Sequence, residues 1–439
     1  MRLFFSTPCS LLMRNAAKPS TCLRHFTFAL ALTCAAVASL GVEVPEAARQ
    51  APSDACPTTS EGRQLTDSRS EAKSRLAAYR SELDLMRGEF SGSDRVPEER
   101  FFLFGMGLRS KFIYKAGKLS SALDGKELES WKVQEEWIIP SDYRVILALH
   151  DGKVVSIEED ASGVWICEAA GRRRVAGTEA PVNLPDFASY RFPRILRVLH
   201  HELLFNVTAA GPVPNIFVYK KPWYRDAAMM ALAFKETENV AVIRDWILNL
   251  REAYDRNNAG ETEADNLGQA LYLISLVSDQ KHPLVATVLA EIPKFERTEE
   301  GARFILGRSD FAEHPVYQTK WLKYGLRALG LPDPYTAPKR KDTYSALFWM
   351  DYKDAYVPGD QADRGDYPYL GWACDHFHGE KKSPISNRDY PLTWEAKASQ
   401  ADYAGLRGLS EAYAEQKISA PHTWHAAEVF LYLLEQKAQ

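Results

Sequence analysis

The stretch Lys220-Lys-Pro-Trp-Tyr-Arg-Asp-Ala-Ala-Met-Met-Ala-Leu-Ala-Phe234 decides the fold prediction for the second half of the chain. Its run from Ala227 onward is apolar on nearly every side, which is typical of an interior helix. A proline shortly before the run suits a helix start, because its missing N–H would have no partner there. Arg225 and Asp226 stand at the mouth of this helix, where charges are costly unless they are partnered. They form either a structural ion pair or a polar rim for a polar ligand.

The size, charge and motifs of the chain exclude several classes of protein. A chain of 439 residues with 46% hydrophobic residues can bury the cores of two or three domains. The formal net charge of -4 argues against nucleic-acid binding, which normally uses a basic face. The sequence contains no dinucleotide-binding turn, phosphate loop, nucleophile elbow or His-Glu-x-x-His helix, so we expect no cofactor.

Residues 1–40 have the pattern of a signal peptide for export. Basic residues precede an apolar run from Phe26 to Ala38, which ends in a small-residue cleavage pattern. The protein is therefore expected to be secreted or periplasmic, and the run is too short for stable membrane insertion. At most one disulfide is expected, because the cysteines that would remain are Cys56, Cys167 and Cys374.

The rest of the chain divides by pattern into three predicted regions. Residues 41–95 combine a Pro-, Ala- and Ser-rich linker with a helix from about Ser70 to Arg87. Residues 96–185 carry short apolar or β-branched runs beside Asp-Gly and Ser-Gly turn signals, which predicts a small antiparallel β domain. Residues 186–439 show helical spacing, and the predicted helices are Phe192–Leu204, Asp226–Lys235, Val240–Tyr254, Ala264–Ser278, His282–Ile292, Val316–Leu329, Thr343–Tyr352, Trp394–Gln416 and Thr423–Gln436.

Several predicted helices begin with a cluster of polar and aromatic residues. These clusters are Trp223–Asp226, Asp255–Asn266, Asp310–Gln318, Tyr390–Ser399 and Pro421–Glu428. If the helices ring a common axis, their N-termini converge on one face of the domain. Free N–H groups and the positive ends of helix dipoles would then line a polar pit with aromatic walls.

A pit of this kind suits cleavage of a glycosidic bond in an oligo- or polysaccharide. One carboxylic acid must protonate the leaving oxygen, while a second carboxylate activates water or attacks the anomeric carbon. We predict Glu263 as the general acid and Glu395 as the general base, with carboxyl groups roughly 6.5–9.5 Å apart if the enzyme inverts configuration. The predicted contacts to the carbohydrate substrate are Trp223, Tyr224, Arg225, Asp226, Glu261, Asp265, Trp394, His422, Trp424 and His425.

Two of these motifs carry a resemblance to a known family. Trp223-Tyr-Arg-Asp226 before an Ala-rich helix, together with Thr423-Trp-His-Ala-Ala427, resembles the six-hairpin glycosidase superfamily. In its glucoamylase-like members an Arg-Asp pair at a comparable helix start holds the terminal sugar, and the resemblance implies that role for Arg225 and Asp226. It implies a mostly α fold, an α/α toroid after the small β domain. Fewer helices are predicted here than a full ring contains, so the toroid would be incomplete or compact.

Other interpretations of the same residues stay open. Glu261, Glu263 and Asp265 also fit simple complementation of a helix dipole. A non-catalytic glycan-binding protein would use the same aromatic pit. A polysaccharide lyase would use Tyr224, His422 or His425 as base and Arg225 to neutralise a uronate. The sequence leaves the oligomeric state open.

Two stretches contain metal-ligand residue types but lack the spacing of known metal sites. Cys374-Asp-His-Phe-His378 has no paired-cysteine spacing of a structural zinc site. The aspartates from Asp351 to Asp366 do not follow the ligand spacing of an EF-hand. We therefore predict no metal site.

Overall fold

A computed structural model describes the backbone of residues 61–90, 99–217, 219, 221–256, 260–309, 312–338 and 423–438. Within these ranges the protein is mixed α/β, with eight α-helices and several antiparallel sheets that make up 39% and 24% of the structure. The predicted mostly α fold with an α/α toroid is therefore wrong. The described part has too few helices to close a ring, and strands continue into the region predicted as helical.

Nine strands between Phe102 and Arg174 form two antiparallel sheets whose strands are arranged in sequence order. The predicted turn at Asp151-Gly152 connects two of them, and Gly152 has the positive φ of 84° that favours glycine there. The first sheet contains β1 (Phe102–Phe104), β2 (Phe112–Lys115), β3 (Lys118–Ser121) and β4 (Glu127–Ser130). The second contains β5 (Val133–Ile139), β6 (Arg144–Leu149), β7 (Val154–Asp160), β8 (Gly163–Glu168) and β9 (Gly171–Arg174).

The first helix precedes these sheets and packs on them. Helix α1 (Glu61–Phe90) is longer than the predicted helix from Ser70 to Arg87. It buries Tyr79, Leu83 and Met86, and it contacts β5 and the next helix in the chain. The same hydrophobic cluster includes residues of both sheets and of the later helices, so these elements share one core.

The remaining helices begin close to the predicted positions, and three of them open with a proline. They are α2 (Pro193–Phe205), α3 (Tyr224–Glu236), α4 (Arg244–Leu248), α5 (Asn266–Ser275), α6 (Pro283–Glu291), α7 (Pro315–Ala328) and α8 (Thr423–Leu434). The helix predicted over Val240–Tyr254 is instead a 3-10 turn followed by the short α4. The helices predicted over Thr343–Tyr352 and Trp394–Gln416 lie outside the described residues.

Short hairpins interrupt the region predicted to be entirely helical. The longest joins β12 (Glu296–Glu299) to β13 (Ala302–Ile305). Its turn residues Glu300 and Gly301 have φ values of 48° and 81°, as a tight hairpin turn requires. The other short strands are β10 (Val207–Thr208), β11 (Gly211–Pro212), β14 (Arg308–Ser309) and β15 (Ala312–Glu313).

Helix α3 lies at the centre of the helical part, as its apolar sequence predicts. Every side chain from Tyr224 to Phe234 is buried, and the helix packs against α5 and α8. Helix α5 in turn packs extensively on α7. This arrangement brings residues at the N-terminal ends of α3 and α5 together. Among the described residues, no helix has both the length and the apolar character to cross a membrane.

Candidate functional site

Arg225, in the first turn of α3, lies in a buried cluster of charged side chains. Its Nη1 atom is 3.4 Å from Oδ2 of Asp265 and 3.6 Å from Oε2 of Glu263. The three side chains are at most 5% exposed. The two carboxylates come from the segment that leads into α5, so the cluster depends on the packing of α3 against α5. We call Arg225, Glu263 and Asp265 the Arg225 cluster.

Asp265 is held in this cluster by hydrogen bonds from two further side chains. Its Oδ1 accepts a hydrogen bond of 2.5 Å from the hydroxyl of Ser309, and its Oδ2 accepts one of 2.9 Å from Nε2 of Gln269. Nε2 of Gln318 donates to the Ser309 hydroxyl at 3.0 Å. Hydrogen bonds to a buried carboxylate are strong and directional, so this network fixes Asp265 and, through it, the Arg225 guanidinium.

The network forms because α5 and α7 approach each other closely. Gly268 and Gly325 face one another at the contact, and a Cβ built on Gly268 would lie 2.2 Å from the main-chain carbon of Trp321. The close approach places Gln269 within 3.2 Å of the Tyr317 hydroxyl. Sequence analysis gave no role to Gln269, Ser309 or Gln318, although Gln318 ends a predicted polar cluster and Gln269 follows Asp265 by one helical turn.

Asp226 makes its contacts with a different helix. Its Oδ1 atom lies 3.3 Å from the Thr423 hydroxyl and 3.3 Å from the main-chain nitrogen of Trp424, both in the first turn of α8. A carboxylate at this position satisfies free N–H groups and complements the helix dipole. The contacts of Arg225 and Asp226 therefore extend to α5 and α8, respectively, and Asp226 has a structural role at the start of α8.

Asp255 joins the starts of α3 and α5. Its Oδ2 accepts a hydrogen bond from the main-chain N–H of Tyr224, and its own N–H donates to Oδ1 of Asn266 at 3.2 Å. Its Oδ1 is buried and has no hydrogen-bond partner. Burial raises the pKa of Asp255 to about 6, with a further increase from Asp265, against the opposing effects of the Tyr224 N–H, Arg225 and Lys221. Sequence analysis gave this residue no role.

We expect Asp255→Asn to remove a pH dependence from the stability of the protein. The pKa in the folded state exceeds the ordinary value of 3.8, so the folded protein binds this proton more tightly than the unfolded chain. Wild-type stability should therefore fall as pH rises from about 4 to about 6. The rise from 3.8 to about 6 corresponds to an upper limit of roughly 3 kcal/mol.

Denaturant unfolding between pH 4 and pH 8 measures this effect as the difference between wild type and variant. Asp255→Asn should be the more stable protein above pH 7, by about 1–3 kcal/mol. Glu252→Gln is the matched control, because Glu252 is exposed and lies nearby in the chain. If the difference in free energy of unfolding between wild type and Asp255→Asn does not change with pH, Asp255 is ionised over the whole range.

Two partly exposed aromatic rings lie beside the Arg225 cluster. The Trp223 ring is 6.0 Å from the guanidinium carbon of Arg225, and Tyr219 packs edge-on against Trp223 at 4.9 Å between ring centroids. Tyr224 differs, because it is buried and its hydroxyl donates to the main-chain oxygen of Glu252 at 2.7 Å. The Trp223 side chain is therefore partly accessible to solvent, whereas Tyr224 is part of the core. Sequence analysis missed Tyr219.

The other predicted site residues lie apart from this cluster or outside the described part. Glu261 is exposed, and its carboxylate is 3.6 Å from Nη1 of Arg308. Trp424 is buried in the first turn of α8, next to Asp226. Trp394, Glu395, His422 and the side chain of His425 lie outside the described residues, as do the stretches Asp351–Asp366 and Cys374–His378. The ranges that are described contain no group of three or more His, Cys, Asp or Glu side chains that could hold a metal ion.

Comparisons with known proteins assign no function to this site. No family model, no curated protein and no solved structure matches the chain. The resemblance to six-hairpin glycosidases implied a toroid that the described fold excludes.

Proposed function

We propose that the Arg225 cluster is the centre of an active site that hydrolyses glycosidic bonds in a neutral oligo- or polysaccharide. The observation that carries this proposal is the contact of Arg225 with both Glu263 and Asp265, beside the partly exposed ring of Trp223. Aromatic faces pack on the C–H groups of a sugar, and carboxylates accept hydrogen bonds from its hydroxyl groups. Buried carboxylates at such a site can also perform the acid and base steps of hydrolysis.

The position of Glu263 favours the role of general base. The guanidinium of Arg225, at 3.6 Å, favours the ionised form of its carboxylate. An ionised carboxylate can take a proton from water, whereas a general acid must hold a proton before the reaction. The structure therefore supports a base role for Glu263 rather than the acid role suggested by the sequence.

The contacts of Arg225 and Tyr224 argue against the alternative function of a polysaccharide lyase. A lyase needs a cation that is available to neutralise a uronate, and Arg225 is already within 3.6 Å of two carboxylates. Tyr224, a predicted base for such a reaction, donates its hydroxyl to a main-chain oxygen inside the core. A neutral sugar fits a site rich in carboxylates better than an acidic one. With the predicted signal peptide, we propose that the enzyme meets its glycan outside the cytoplasm.

We expect Glu263→Gln to lower hydrolysis by about 10²–10⁴-fold while the protein stays folded. Glutamine has the shape of glutamate but cannot take the proton from water. The measurement is release of phenol from a panel of phenyl glycosides of glucose, galactose and mannose, in both anomers. Glu252→Gln, on an exposed side chain nearby, should keep wild-type rates.

Three results, from this experiment or from parallel assays of glycan binding and of uronate polymers, would contradict the proposal. Glycan binding without hydrolysis by the wild type would identify a non-catalytic glycan-binding protein. An unsaturated, ultraviolet-absorbing product from a uronate polymer would identify a lyase. Equal rates for wild type and Glu263→Gln, with both proteins folded by circular dichroism, would place the chemistry elsewhere in the chain.

A further inference from the structure

We propose that Asp255 is the proton donor of this active site and delivers a proton from Oδ1 to the leaving oxygen of the glycosidic bond. This inference rests on the proposed function and deepens it, because hydrolysis needs a second carboxyl group besides Glu263. Glu395, the other carboxylate predicted from the sequence, lies outside the described residues.

The first support is the way in which Asp255 is held. Its carboxylate accepts the N–H of Tyr224, the residue before Arg225, and its N–H donates to Asn266, the residue after Asp265. Asp255 is thus fixed to the same two helix starts that carry the Arg225 cluster. A proton donor must be held within a narrow range of positions, and two anchors on rigid elements achieve this.

The second support is the oxygen atom that the fold leaves without a partner. Buried polar atoms in native proteins nearly always have a hydrogen-bond partner, so an exception calls for an explanation. Oδ1 of Asp255 is buried and makes no hydrogen bond. A protonated Oδ1 would be a donor in need of an acceptor, and the glycosidic oxygen would supply one once a bound sugar displaces the residues that cover this atom.

The third support is the set of charges around Asp255. Burial and the carboxylate of Asp265 disfavour ionisation, whereas Arg225 and Lys221 favour it, and the balance leaves the pKa at about 6. Glu263, in contrast, lies directly beside Arg225. A carboxyl group with a raised pKa beside another that contacts a guanidinium is an arrangement that can divide acid and base roles in hydrolases.

The reaction that follows balances in atoms and charge. As the bond from the anomeric carbon to the leaving oxygen breaks, its electron pair stays on that oxygen, which takes the proton of Asp255. Glu263 takes one proton from a water molecule, and the water oxygen forms the new bond to the anomeric carbon. Asp255 ends ionised and Glu263 protonated, and exchange with solvent restores both groups.

The dependence of kcat/KM on the leaving group tests the assignment of Asp255 as the proton donor. A phenyl glycoside needs protonation of its leaving oxygen, whereas a 2,4-dinitrophenyl glycoside of the same sugar leaves readily as the anion. We expect Asp255→Asn to lose about 10²–10⁴-fold in kcat/KM on the phenyl glycoside. Its loss on the dinitrophenyl glycoside should be less than about tenfold. Glu263→Gln should lose activity on both substrates, because it acts on water and not on the leaving group.

The pH profile gives a second readout that a structural role would not affect. Wild-type kcat/KM on the phenyl glycoside should fall as pH rises through about 6, and the profile of Asp255→Asn should lack this limb. Equal losses of Asp255→Asn on both glycosides, or an unchanged limb, would overturn the assignment while leaving the proposed function intact. Absence of wild-type hydrolysis on either series would overturn both. Circular dichroism confirms that the variant is folded.

Discussion

Replacement of Arg109 by methionine is expected to lower the free energy of unfolding by about 3–5 kcal/mol. Arg109 and Glu159 have no exposed side-chain area, and Nη1 of Arg109 is 2.8 Å from Oε1 of Glu159. The guanidinium also donates to the main-chain oxygens of Asp160, Ala161 and Ala180 at 2.7–2.8 Å. The variant would leave the buried carboxylate without its guanidinium partner and these main-chain oxygens without their donor, which is the costly way to break such a pair.

Glu159 shows how strongly this interior disfavours charge. Burial raises its pKa in spite of Arg109 and the N–H groups of Gly105 and Met106. The neighbouring Lys111 is also buried, and burial lowers its pKa to about 7, although Glu159 counteracts this. Removal of Arg109 would therefore take away the positive charge that most favours the ionised form of Glu159.

Denaturant unfolding at pH 7 of the single and double variants separates loss of the pair from loss of one charge. Arg109→Met with Glu159→Gln removes both charges and keeps an acceptor oxygen, so the double variant should be more stable than Arg109→Met alone. Lys118→Met provides the surface control, because the pair of Lys118 and Glu127 is 62% and 46% exposed. Its cost should stay below about 1 kcal/mol. Equal losses for Lys118→Met and Arg109→Met would contradict the argument.

Local patterns in the sequence predicted several elements of the fold. The apolar run after Asp226 predicted the buried helix α3, and turn signals such as Asp151-Gly152 predicted antiparallel strands. These features depend on residues close together in the chain. The hairpin from Glu296 to Ile305 was missed because its strands are short and largely exposed, without an apolar alternation. Glu300-Gly301 was the one sequence signal that could have indicated this hairpin turn.

The prediction of an α/α toroid was wrong because it was inferred from a resemblance at two short motifs. Arg225-Asp226 does open a buried helix, but the contacts of the two residues lead to α5 and α8, respectively. Nothing in the order of residues shows that Arg225 meets Glu263 and Asp265, since this depends on the packing of α3 on α5. The same packing holds Asp255 between the starts of α3 and α5. Spacing along the chain predicted which helix starts are polar, and packing determined which of them meet.

Replacement of Gly268 by alanine is expected to cost about 3 kcal/mol in the free energy of unfolding, at the upper end of the usual cost of overpacking. The new Cβ would lie 2.2 Å from the carbon and 2.4 Å from the oxygen of the Trp321 main chain. Main-chain atoms cannot rotate away as a flexible side chain would, so α5 and α7 must separate. The gain of about 1 kcal/mol in helix propensity offsets only part of this cost.

Gly268→Ala should also alter the geometry of the Arg225 cluster. Gln269 follows Gly268 directly, and it connects Oδ2 of Asp265 with the hydroxyl of Tyr317 on α7. Separation of α5 from α7 lengthens these hydrogen bonds and releases Asp265, so glycoside hydrolysis should fall together with stability. Gly152→Ala is the matched control, because nothing lies within 4 Å of its Cβ and only its φ of 84° is strained. Its cost should be roughly 1 kcal/mol, without loss of activity. A Gly268→Ala protein as stable as Gly152→Ala would show that the helices separate without penalty, and would remove the close approach as the cause of the site's geometry.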